Sequence, residues 1–366
     1  MDLPRSPAVT ALEGEDDVYV VGGAVRDLLL GREPHELDFV VEGDALEVAG
    51  RVGGRVISHE RFGTATVSLD GVTFDLAGAR RERYERPGAL PEVELGATLR
   101  EDLERRDFTV NAIALHLKDG ELIWLPGAHE DLDARRLRVL HDNSFRDDPT
   151  RLLRLARYAA RLGFEPEEHT DRLAAEAVAG GAVDTVTGSR LGAELRLLLR
   201  EPQPEALLRL DRHGLGRALL GEEFAPDDAT IATADELAPG GLAALAAALT
   251  GPVDLDRLAF PAQEREAVNR AAATLPVGQR ADVDLWRRFR REPPEAAAVA
   301  GARGDAAAAR RWLEDVRHRR LAIDGHDVVA AGREGPAVGE ALDRAMEAML
   351  EGRADTREEQ LAAALG

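Results

Sequence analysis

The chain has 366 residues, of which 44% are hydrophobic and 31% charged, and its formal net charge is −21. This length suffices for more than one domain and a sizeable hydrophobic core. The absence of cysteine excludes disulfides and thiolate metal ligands. The acidic balance argues against a protein that coats nucleic acid non-specifically, because that affinity comes mainly from neutralising phosphates.

Insertion into a membrane and secretion are not expected either. No apolar run approaches the roughly 20 residues that span a bilayer. Residues 1–17 lack the basic and apolar regions of a signal peptide. The sequence therefore predicts a cytoplasmic protein without a membrane or disulfide partner. Lys118 is its only lysine, so contacts to phosphate groups have to come mainly from planar arginine guanidinium groups.

The first part of the chain, from Asp17 to Leu125, has the pattern of an α/β domain. The β-branched run Val18–Val21 predicts a strand, and Ala24–Leu30, which follows Gly22-Gly23, predicts a helix. Asp70-Gly71 between two alternating runs is a hairpin signal. Further strands are predicted at Leu37–Val41, Arg55–His59, Thr64–Leu69 and Val72–Leu76.

The end of this part has a less regular pattern. The polar segment Ala79–Arg100 contains Pro87-Gly88 and Pro91, which predicts a mobile loop. The segment Arg105–Ala112 is interpreted as the polar start of an otherwise apolar helix.

The pattern changes again after Asp148. Strand-like runs end, and Ala, Leu, Arg and Glu at helical spacing predict an all-helical remainder. The acidic segment Glu222–Asp235 is interpreted as a surface excursion. Beyond the helix of RLLRLARYAARLGF, helices are predicted at Asp171–Ala179, Arg190–Arg200, Pro204–His213, Gly241–Leu249, Gln263–Thr274, Pro293–Ala300, Asp305–His318 and Gly339–Leu350.

The first candidate site is the turn Gly22-Gly23 with Arg26. Glycines between a strand and a helix allow backbone N–H groups to approach a phosphate, and the helix start adds partial positive charge. Arg26 lies within the first turn and can clamp an oxygen of a triphosphate. The alternative is a tight turn with a surface arginine. The spacing fits neither the dinucleotide-binding glycine motif nor the P-loop.

The second candidate site consists of the carboxylates of Glu36, Asp38 and Asp75. Glu36 and Asp38 are two residues apart, so on a strand they point to the same side. Mg²⁺ prefers oxygen ligands and often binds one or two carboxylates together with substrate phosphates. Asp75 lies in an apolar strand, where an unpaired buried carboxylate is costly, and can complete the site. Solvated surface acids are the alternative.

The third and fourth candidate sites combine arginines with acids. Arg106 and Asp107 are suited to ribose and phosphate recognition, and a capped helix start with exposed arginines is the alternative. Asp148 and Arg151 flank the start of a helix and can present an acceptor and donors to the edge of a base. Arg154 and Arg157 continue the same side of that helix, and helix capping beside a solvated arginine face is the alternative.

The four motifs occur in an order that resembles class II tRNA nucleotidyltransferases of the DNA-polymerase-β-like superfamily, which comprise the CCA-adding enzymes and bacterial poly(A) polymerases. The resemblance covers Val18–Leu215 closely and the remainder loosely, including LAIDGHDVVAAGREGPAVGEAL. The segments that match closely are GGAVRDLLLGREPHELDFVVEGD, FGTATVSLDGVTFDLAGARRERYERPGALPEV, RRDFTVNAIAL and SFRDDPTRLLRLARYAARLGF.

The resemblance implies a fold and a reaction. The fold is α+β, with a catalytic polymerase-β-like α/β head at residues 1–140. A helical neck at 141–220 recognises the base, and a helical body and tail at 221–366 bind the acceptor arm of tRNA. The implied reaction is template-independent transfer of CMP and AMP from CTP and ATP to the 3′ end of tRNA, with Mg²⁺, as two ions, for cofactor.

The resemblance also assigns a role to each candidate residue. Gly22, Gly23 and Arg26 hold the triphosphate. Glu36 and Asp38 bind the metal, and Asp75 is a weaker catalytic candidate. Arg106 and Asp107 contact the ribose. Asp148 and Arg151 select the base. Arg154 and Arg157 support the phosphates or the primer end.

One position departs from the family. Its metal-binding pair is Asp-x-Asp, whereas this chain has Glu36 first, whose extra methylene moves the oxygens by roughly 1.5 Å. Such a displacement can be costly where catalysis rests on positioning. Alternatives to complete CCA addition within this class are an A-adding or CC-adding enzyme and a poly(A) polymerase. Glu36 alone suggests a further alternative, a catalytically silent RNA-binding relative. The segment Ala79–Arg100 resembles the loop of enzymes that complete the A step, which disfavours CC-only addition.

Overall fold

A computed structural model describes residues 6–34 and 36–366. The chain divides into two compact units. One comprises residues up to 198 together with 212–218, and the other comprises 199–211 together with 219–366. A sheet-containing head precedes helical regions, so the predicted α+β fold class is confirmed. The predicted domain boundaries at residues 140 and 220 stay a prediction.

The first unit is built on a seven-stranded sheet with the strand order β3-β4-β5-β2-β1-β8-β9. β2 runs antiparallel to β1 and parallel to β5, which places Asp38 opposite Asp75. The remaining strands form two small pairs, β6 with β7 and β10 with β11. In chain order the strands are β1 (Val18–Val21), β2 (Asp38–Val41), β3 (Arg55–His59), β4 (Thr64–Leu69), β5 (Val72–Gly78), β6 (Arg80–Arg83), β7 (Glu92–Leu95), β8 (Ile113–His116), β9 (Leu122–Trp124), β10 (Arg136–Leu137) and β11 (Glu165–Pro166).

Helices cover the sheet and extend the first unit. The longest of them, α7, ends at Gly163, whose φ of 68° is left-handed and whose N–H donates to the carbonyl of Ala159. Glycine is the residue that most readily adopts this left-handed C-cap conformation. The helices up to residue 198 are α1 (Pro7–Leu12), α2 (Gly23–Leu29), α3 (Ala45–Val52), α4 (Leu99–Glu104), α5 (Ala128–Asp133), α6 (Ser144–Asp147), α7 (Thr150–Leu162), α8 (Glu168–Ala179) and α9 (Gly188–Leu198).

The remainder of the described chain is helical, as predicted, and each unit buries its own apolar residues. In the second unit, Ile323 and Val328 pack with the alanines of α19 and α20. Within the described residues, no helix has the length and apolar character needed to cross a membrane. The later helices are α10 (Glu205–Leu210), α11 (Leu215–Leu220), α12 (Asp228–Leu237), α13 (Leu242–Ala247), α14 (Ala262–Ala272), α15 (Asp282–Phe289), α16 (Pro294–Ala302), α17 (Ala306–Glu314), α18 (Gly325–Ala330), α19 (Pro336–Leu350) and α20 (Arg357–Leu365).

The segment Ala79–Arg100 differs from the predicted mobile loop. It forms the hairpin of β6 and β7 and then the start of α4. Arg81 donates to Glu94 across the hairpin and to Glu101 of α4, and Thr98 caps that helix in a capping box. The turn signals at Pro87-Gly88 therefore mark the tip of an ordered hairpin rather than an unstructured segment.

The segment Arg105–Ala112 is not a helix, so that prediction was wrong. α4 ends at Glu104, Phe108 is extended, and Thr109–Asn111 form a single 3₁₀ turn before β8. The N–H of Thr109 donates to the carbonyl of Arg138 at 2.8 Å. This tertiary hydrogen bond and the β-branched residues favour extended backbone over a continued helix.

Two smaller predictions were also wrong. β2 begins at Asp38, so Glu36 precedes the strand instead of lying on it. The segment Glu222–Asp235 contains most of α12, in which Ile231 and Ala234 are fully buried, and is not a surface excursion. The acidic charge there includes Asp227, which caps the helix by accepting from Thr230.

Candidate active site

A cavity of about 460 Å³ in the first unit brings together residues from all four motifs. Five arginines and five acids line it, so its formal charge is balanced in a chain whose net charge is −21. It is a polar cleft that can accept an anionic ligand among paired charges. Its lining residues are Gly23, Asp38, Glu82, Tyr84, Arg105, Arg106, Asp107, Asn111, Asp148, Thr150, Arg151, Arg154, Tyr158, Arg190, Ala193 and Glu194.

The predicted metal ligands lie at one end of β2. Asp38 begins that strand, and Asp75 occupies the partner position on the parallel strand β5. Asp75 is exposed rather than buried, and its Oδ1 accepts a 2.6 Å hydrogen bond from the hydroxyl of Thr66. Glu36 is exposed and lies two residues before Asp75's partner. The fold therefore places Asp38 and Asp75 side by side, although they are 37 positions apart in sequence.

The pKa of Asp38 is affected by two neighbouring acids, Glu36 and Asp75. Asp38 is exposed, but surrounding protein atoms partly shield its carboxyl from water, which raises the pKa of Asp38 above its ordinary value. The negative charges of Glu36 and Asp75 raise this pKa further, while Arg106 lowers it. A divalent cation relieves such repulsion between carboxylates. Among residues 6–34 and 36–366, no three acidic or histidine side chains converge as a ready metal cage. One or two carboxylates completed by phosphates and water are the donor set that suits Mg²⁺.

The glycine turn packs against Arg106. Gly22 has a φ of 70°, a left-handed conformation that favours glycine, and a Cβ at this position would lie 2.6 Å from Nη1 of Arg106 and displace that guanidinium group. Nη2 of Arg106 donates to Oδ2 of Asp102 at 3.0 Å. Its Nε is buried and has no hydrogen-bond partner among the described residues. Arg106 therefore lines the cavity beside the glycine turn, where the cavity can take an anionic group.

The side chain of Arg26 is buried and paired, whereas a residue that clamps a phosphate oxygen would be open to the cavity. Its side chain is only 1% exposed, and it donates to Oδ1 of Asn111 at 2.5 Å and to Oδ1 of Asp27 at 2.7 Å. Its guanidinium also lies 5.3 Å from the ring centroid of Tyr158. In this arrangement Arg26 joins the glycine-turn helix to its surroundings. Its role toward a triphosphate stays a prediction.

Asp107 is a buried acceptor with four donors. Its Oδ1 accepts from the N–H of Phe108 and from Nδ2 of Asn111, both at 2.8 Å. Its Oδ2 accepts from Nε and Nη2 of Arg154, at 2.8 and 2.6 Å. Burial acts to raise the pKa of Asp107, but the charge of Arg154 and these hydrogen bonds lower it to about 2. Asp107 is therefore an anion at neutral pH.

The two predicted base-reading residues lie at the start of α7. Oδ1 of Asp148 accepts from the N–H and hydroxyl of Thr150, at 3.1 and 2.6 Å, and from Nη2 of Arg190 at 2.9 Å. Arg151 is 5% exposed and donates to Oγ of Ser144 at 2.6 Å. Both side chains line the cavity, so an acceptor and a donor group are held next to each other.

Arg154 and Arg157 share a counter-charge. Glu194 of α9 lies 3.3 Å from Arg154 and 3.1 Å from Arg157. Both guanidinium groups lie beside the ring of Tyr158, at 5.7 and 5.2 Å from its centroid. Arg154 lines the cavity, whereas Arg157 is buried behind it. Their predicted support of phosphates or of the primer end stays a prediction.

Several site residues are absent from the sequence-based set. Asp102 is fully buried and holds both Arg105 and Arg106, and Arg190 and Glu194 supply the partners of α7. The signal for the latter pair was present, because they are four residues apart and so share one face of a predicted helix. Three arginines on one helix also need counter-charges once they are buried. Which acids supply them is a tertiary property.

The chain is similar to tRNA nucleotidyltransferases of known sequence and structure. Residues 18–138 match the poly A polymerase head domain. The chain is 48% identical over 232 residues to an A-adding tRNA nucleotidyltransferase of Geobacter sulfurreducens, covering 59% of this chain and 26% of that protein. It is 45% identical over 216 residues to a CC-adding tRNA nucleotidyltransferase of Deinococcus radiodurans, covering 57% and 56%. The chain thus spans between about a quarter and about half of the length of these relatives.

The fold is similar over a longer stretch. The structure of a Thermotoga maritima CCA-adding enzyme complexed with tRNA superposes with a TM-score of 0.76 at 27% identity, covering 95% of this chain and 90% of that one. The resemblance to tRNA nucleotidyltransferases that the motif order predicts is confirmed.

Proposed function

We propose that this chain, whose residues 18–138 form a poly A polymerase head domain, is a tRNA nucleotidyltransferase that completes or repairs the 3′-CCA end. It transfers CMP and AMP from CTP and ATP to the 3′ end of tRNA without a template. One observation carries this proposal. The same cavity is lined by Asp38, by Arg106 beside the glycine turn, and by the pair Asp148 and Arg151. Those groups are suited to the metal, the phosphates and the base of one nucleotide.

Asp38 and Glu36 are the proposed ligands of Mg²⁺, with Asp75 as an adjacent acid. When bound, the metal neutralises phosphate charge and lowers the barrier to attack by a 3′-hydroxyl. The raised pKa of Asp38 supports this assignment, because its causes are partial desolvation of the carboxyl and the charges of Glu36 and Asp75. Arg106, which lines the cavity beside the glycine turn, is suited to hold a phosphate oxygen or the ribose.

Asp148 and Arg151 are the proposed readers of the base. A carboxylate oxygen accepts from an exocyclic amino group, and a guanidinium donates to ring nitrogens and carbonyls. CTP and ATP both carry an exocyclic amino group, whereas UTP does not. The helical residues 141–220 and 221–366 are proposed as the neck, and as the body and tail that bind the acceptor arm. The proposed location of the protein is the cytoplasm, and its proposed macromolecular partner is tRNA.

A-only addition is the second candidate, because a relative at 48% identity is named for that activity. The test uses three tRNA substrates, ending at the discriminator base, at the first C and at CC, each with Mg²⁺, CTP and ATP. Complete CCA addition predicts extension of all three to the same end. An A-adding enzyme extends only the substrate that ends in CC, and a CC-adding enzyme stops before A. Lack of extension on every tRNA contradicts the proposed function and favours a silent RNA-binding relative.

A further inference from the structure

Arg151 is held at both ends of its guanidinium group. Nη1 donates to the hydroxyl oxygen of Ser144 at 2.6 Å, and Nη2 donates to the carbonyl oxygen of Arg105 at 2.8 Å. Arg151 is 5% exposed, so neither contact is easily exchanged for water. Because a guanidinium group is planar, two acceptors on its two ends fix the direction in which its remaining N–H groups point.

Asp148 is held in a complementary way. The hydrogen bonds that it accepts from Thr150 and Arg190 all end on Oδ1. Within the described part of the chain, no donor reaches its Oδ2. One oxygen therefore anchors the carboxylate, and the other is available to a ligand in the cavity.

Ser144 contacts both members of this pair. Its hydroxyl accepts from Arg151, and its carbonyl accepts from the N–H of Asp148 at 3.1 Å. Its own N–H donates to the carbonyl of His141 at 3.1 Å, which fixes the first turn of α6. Ser144 is 0% exposed and does not line the cavity, so it does not touch a ligand there. Two acceptors hold the guanidinium group of Arg151. One is the side-chain hydroxyl of Ser144, and the other is the main-chain carbonyl of Arg105.

We infer that Ser144 is a specificity-determining positioning residue, which acts by directing the guanidinium group of Arg151 toward the base. The inference rests on the proposed function for its choice of ligand, a nucleoside triphosphate with an exocyclic amino group on the base. Removal of the hydroxyl leaves a buried Arg151 donor unsatisfied, and the guanidinium group turns toward another acceptor. Base contacts weaken as a result, whereas triphosphate contacts elsewhere in the cavity are retained.

The test replaces Ser144 by Ala and measures dissociation constants for CTP and UTP with Mg²⁺ and without tRNA, together with kcat/KM for each nucleotide on tRNA. Loss of a hydrogen bond to a charged group corresponds to about a tenfold change in an equilibrium constant. We expect S144A to lower the CTP-over-UTP preference about tenfold, with a smaller change in affinity for the shared triphosphate. Ser68→Ala is the matched control, because it removes a hydroxyl that pairs with Thr73 on the sheet.

A double-mutant cycle separates positioning from a merely structural effect. In an R151A background, S144A should change the CTP-over-UTP preference by less than about twofold, because its only route of action is gone. If S144A does not fold, S144C keeps the size of the side chain with a poor acceptor, and the same loss of preference is expected. A wild-type preference in S144A or S144C, or an equal loss in the R151A background, overturns the inference.

The outcomes also distinguish this inference from the proposed function. A wild-type protein that binds all four nucleotides equally contradicts both. A wild-type protein that extends tRNA and prefers CTP over UTP, with S144A behaving identically, contradicts only the role of Ser144.

Discussion

Arg154, which is half-buried, and Asp107, which is buried, form an ion pair in which both Nε and Nη2 of the arginine donate to one oxygen, Oδ2, at 2.8 and 2.6 Å. The pair joins the first half of α7 to the irregular segment before β8. The same segment carries Arg106 at the glycine turn, and the same helix carries Arg151. A contact between residues 47 positions apart in sequence therefore aligns the side of the cavity proposed for the phosphates with the side proposed for the base.

Asp107→Asn should destabilise the protein in a pH-dependent way. The pKa of Asp107 is about 2 in the folded state and about 3.9 when unfolded, so its charge stabilises the fold by roughly 2 kcal/mol at neutral pH. That stabilisation is complete above about pH 5 and is lost as the pH falls through 2. Urea unfolding between pH 2 and 7 measures it.

The variant should lose free energy of unfolding at pH 7 and show a flatter decline below pH 4 than the wild type. Asp133→Asn is a suitable control, since Asp133 is 72% exposed. Equal pH profiles for Asp107→Asn and the wild type would show that the ion pair does not stabilise the fold.

Asp38→Asn should have opposite effects on catalysis and on stability. Its raised pKa means that the folded protein disfavours the charged carboxyl, so a neutral amide should raise the free energy of unfolding at neutral pH. Nucleotide transfer should fall on the order of a hundredfold or more, because Asp38 is a proposed ligand of the metal. Thermal melts without Mg²⁺ and single-turnover assays with it test the two effects. A destabilised Asp38→Asn would contradict the electrostatic account of this site.

Glu36→Asp should keep or raise the rate of transfer. Aspartate restores the shorter side chain of the family pair, and Glu36 lies outside β2 in exposed, irregular backbone that can adjust to either length. Glu33→Asp, also exposed, makes the same chemical change nearby. A loss of activity on the order of tenfold or more in Glu36→Asp alone would mean that the site is built for glutamate.

Gly22→Ala should weaken nucleotide binding more than it affects the rest of the fold. A Cβ at this position would meet Nη1 of Arg106, and the φ of 70° disfavours any other residue. We expect a loss of stability of about 1 kcal/mol or more and a raised KM for both CTP and ATP. Gly71→Ala is the matched control. Gly71 has a φ of 80°, and a Cβ there would meet no atom within 4 Å, so this variant has the same backbone strain but displaces no arginine. Equal KM values for CTP and ATP in the two variants would contradict a role of the Gly22 turn in nucleotide binding.

Asp148→Ala and Arg151→Ala should relax the choice of base more than they reduce overall stability. Each removes one half of the acceptor and donor pair that lines the cavity. Competition between CTP, ATP, GTP and UTP on a tRNA that lacks its end measures this choice. Unchanged nucleotide preference in both variants would refute their assignment as base readers.

The features that local chemistry determines were predictable from sequence. β1, the Asp70-Gly71 hairpin and the amphipathic helix α7 follow from periodicity and turn residues, and all three are present. The helix assigned to Arg105–Ala112 failed because a hydrogen bond from Thr109 to Arg138 overrides local propensity. Such a partner, 29 residues away, leaves no periodic trace in the segment itself.

The candidate site shows the same division. Motif spacing identified Asp38 and Arg106, whose residue types point to phosphate chemistry, but burial could not be read from the pattern. Arg26 is 1% exposed and paired, and Asp75 is exposed instead of buried. Asp102, which orients Arg106, is one acid among many in an acidic chain, and only its complete burial distinguishes it.

The most direct test of the account is the sequence of the product made from a tRNA that ends at its discriminator base. The tRNA is incubated with the protein, Mg²⁺ and all four nucleoside triphosphates, and the new 3′ ends are sequenced beside those from Asp38→Asn. The account predicts C, C and A in that order with no further addition, and no extension by the variant. Absence of extension by the wild type, or an unlimited run of A, would contradict it.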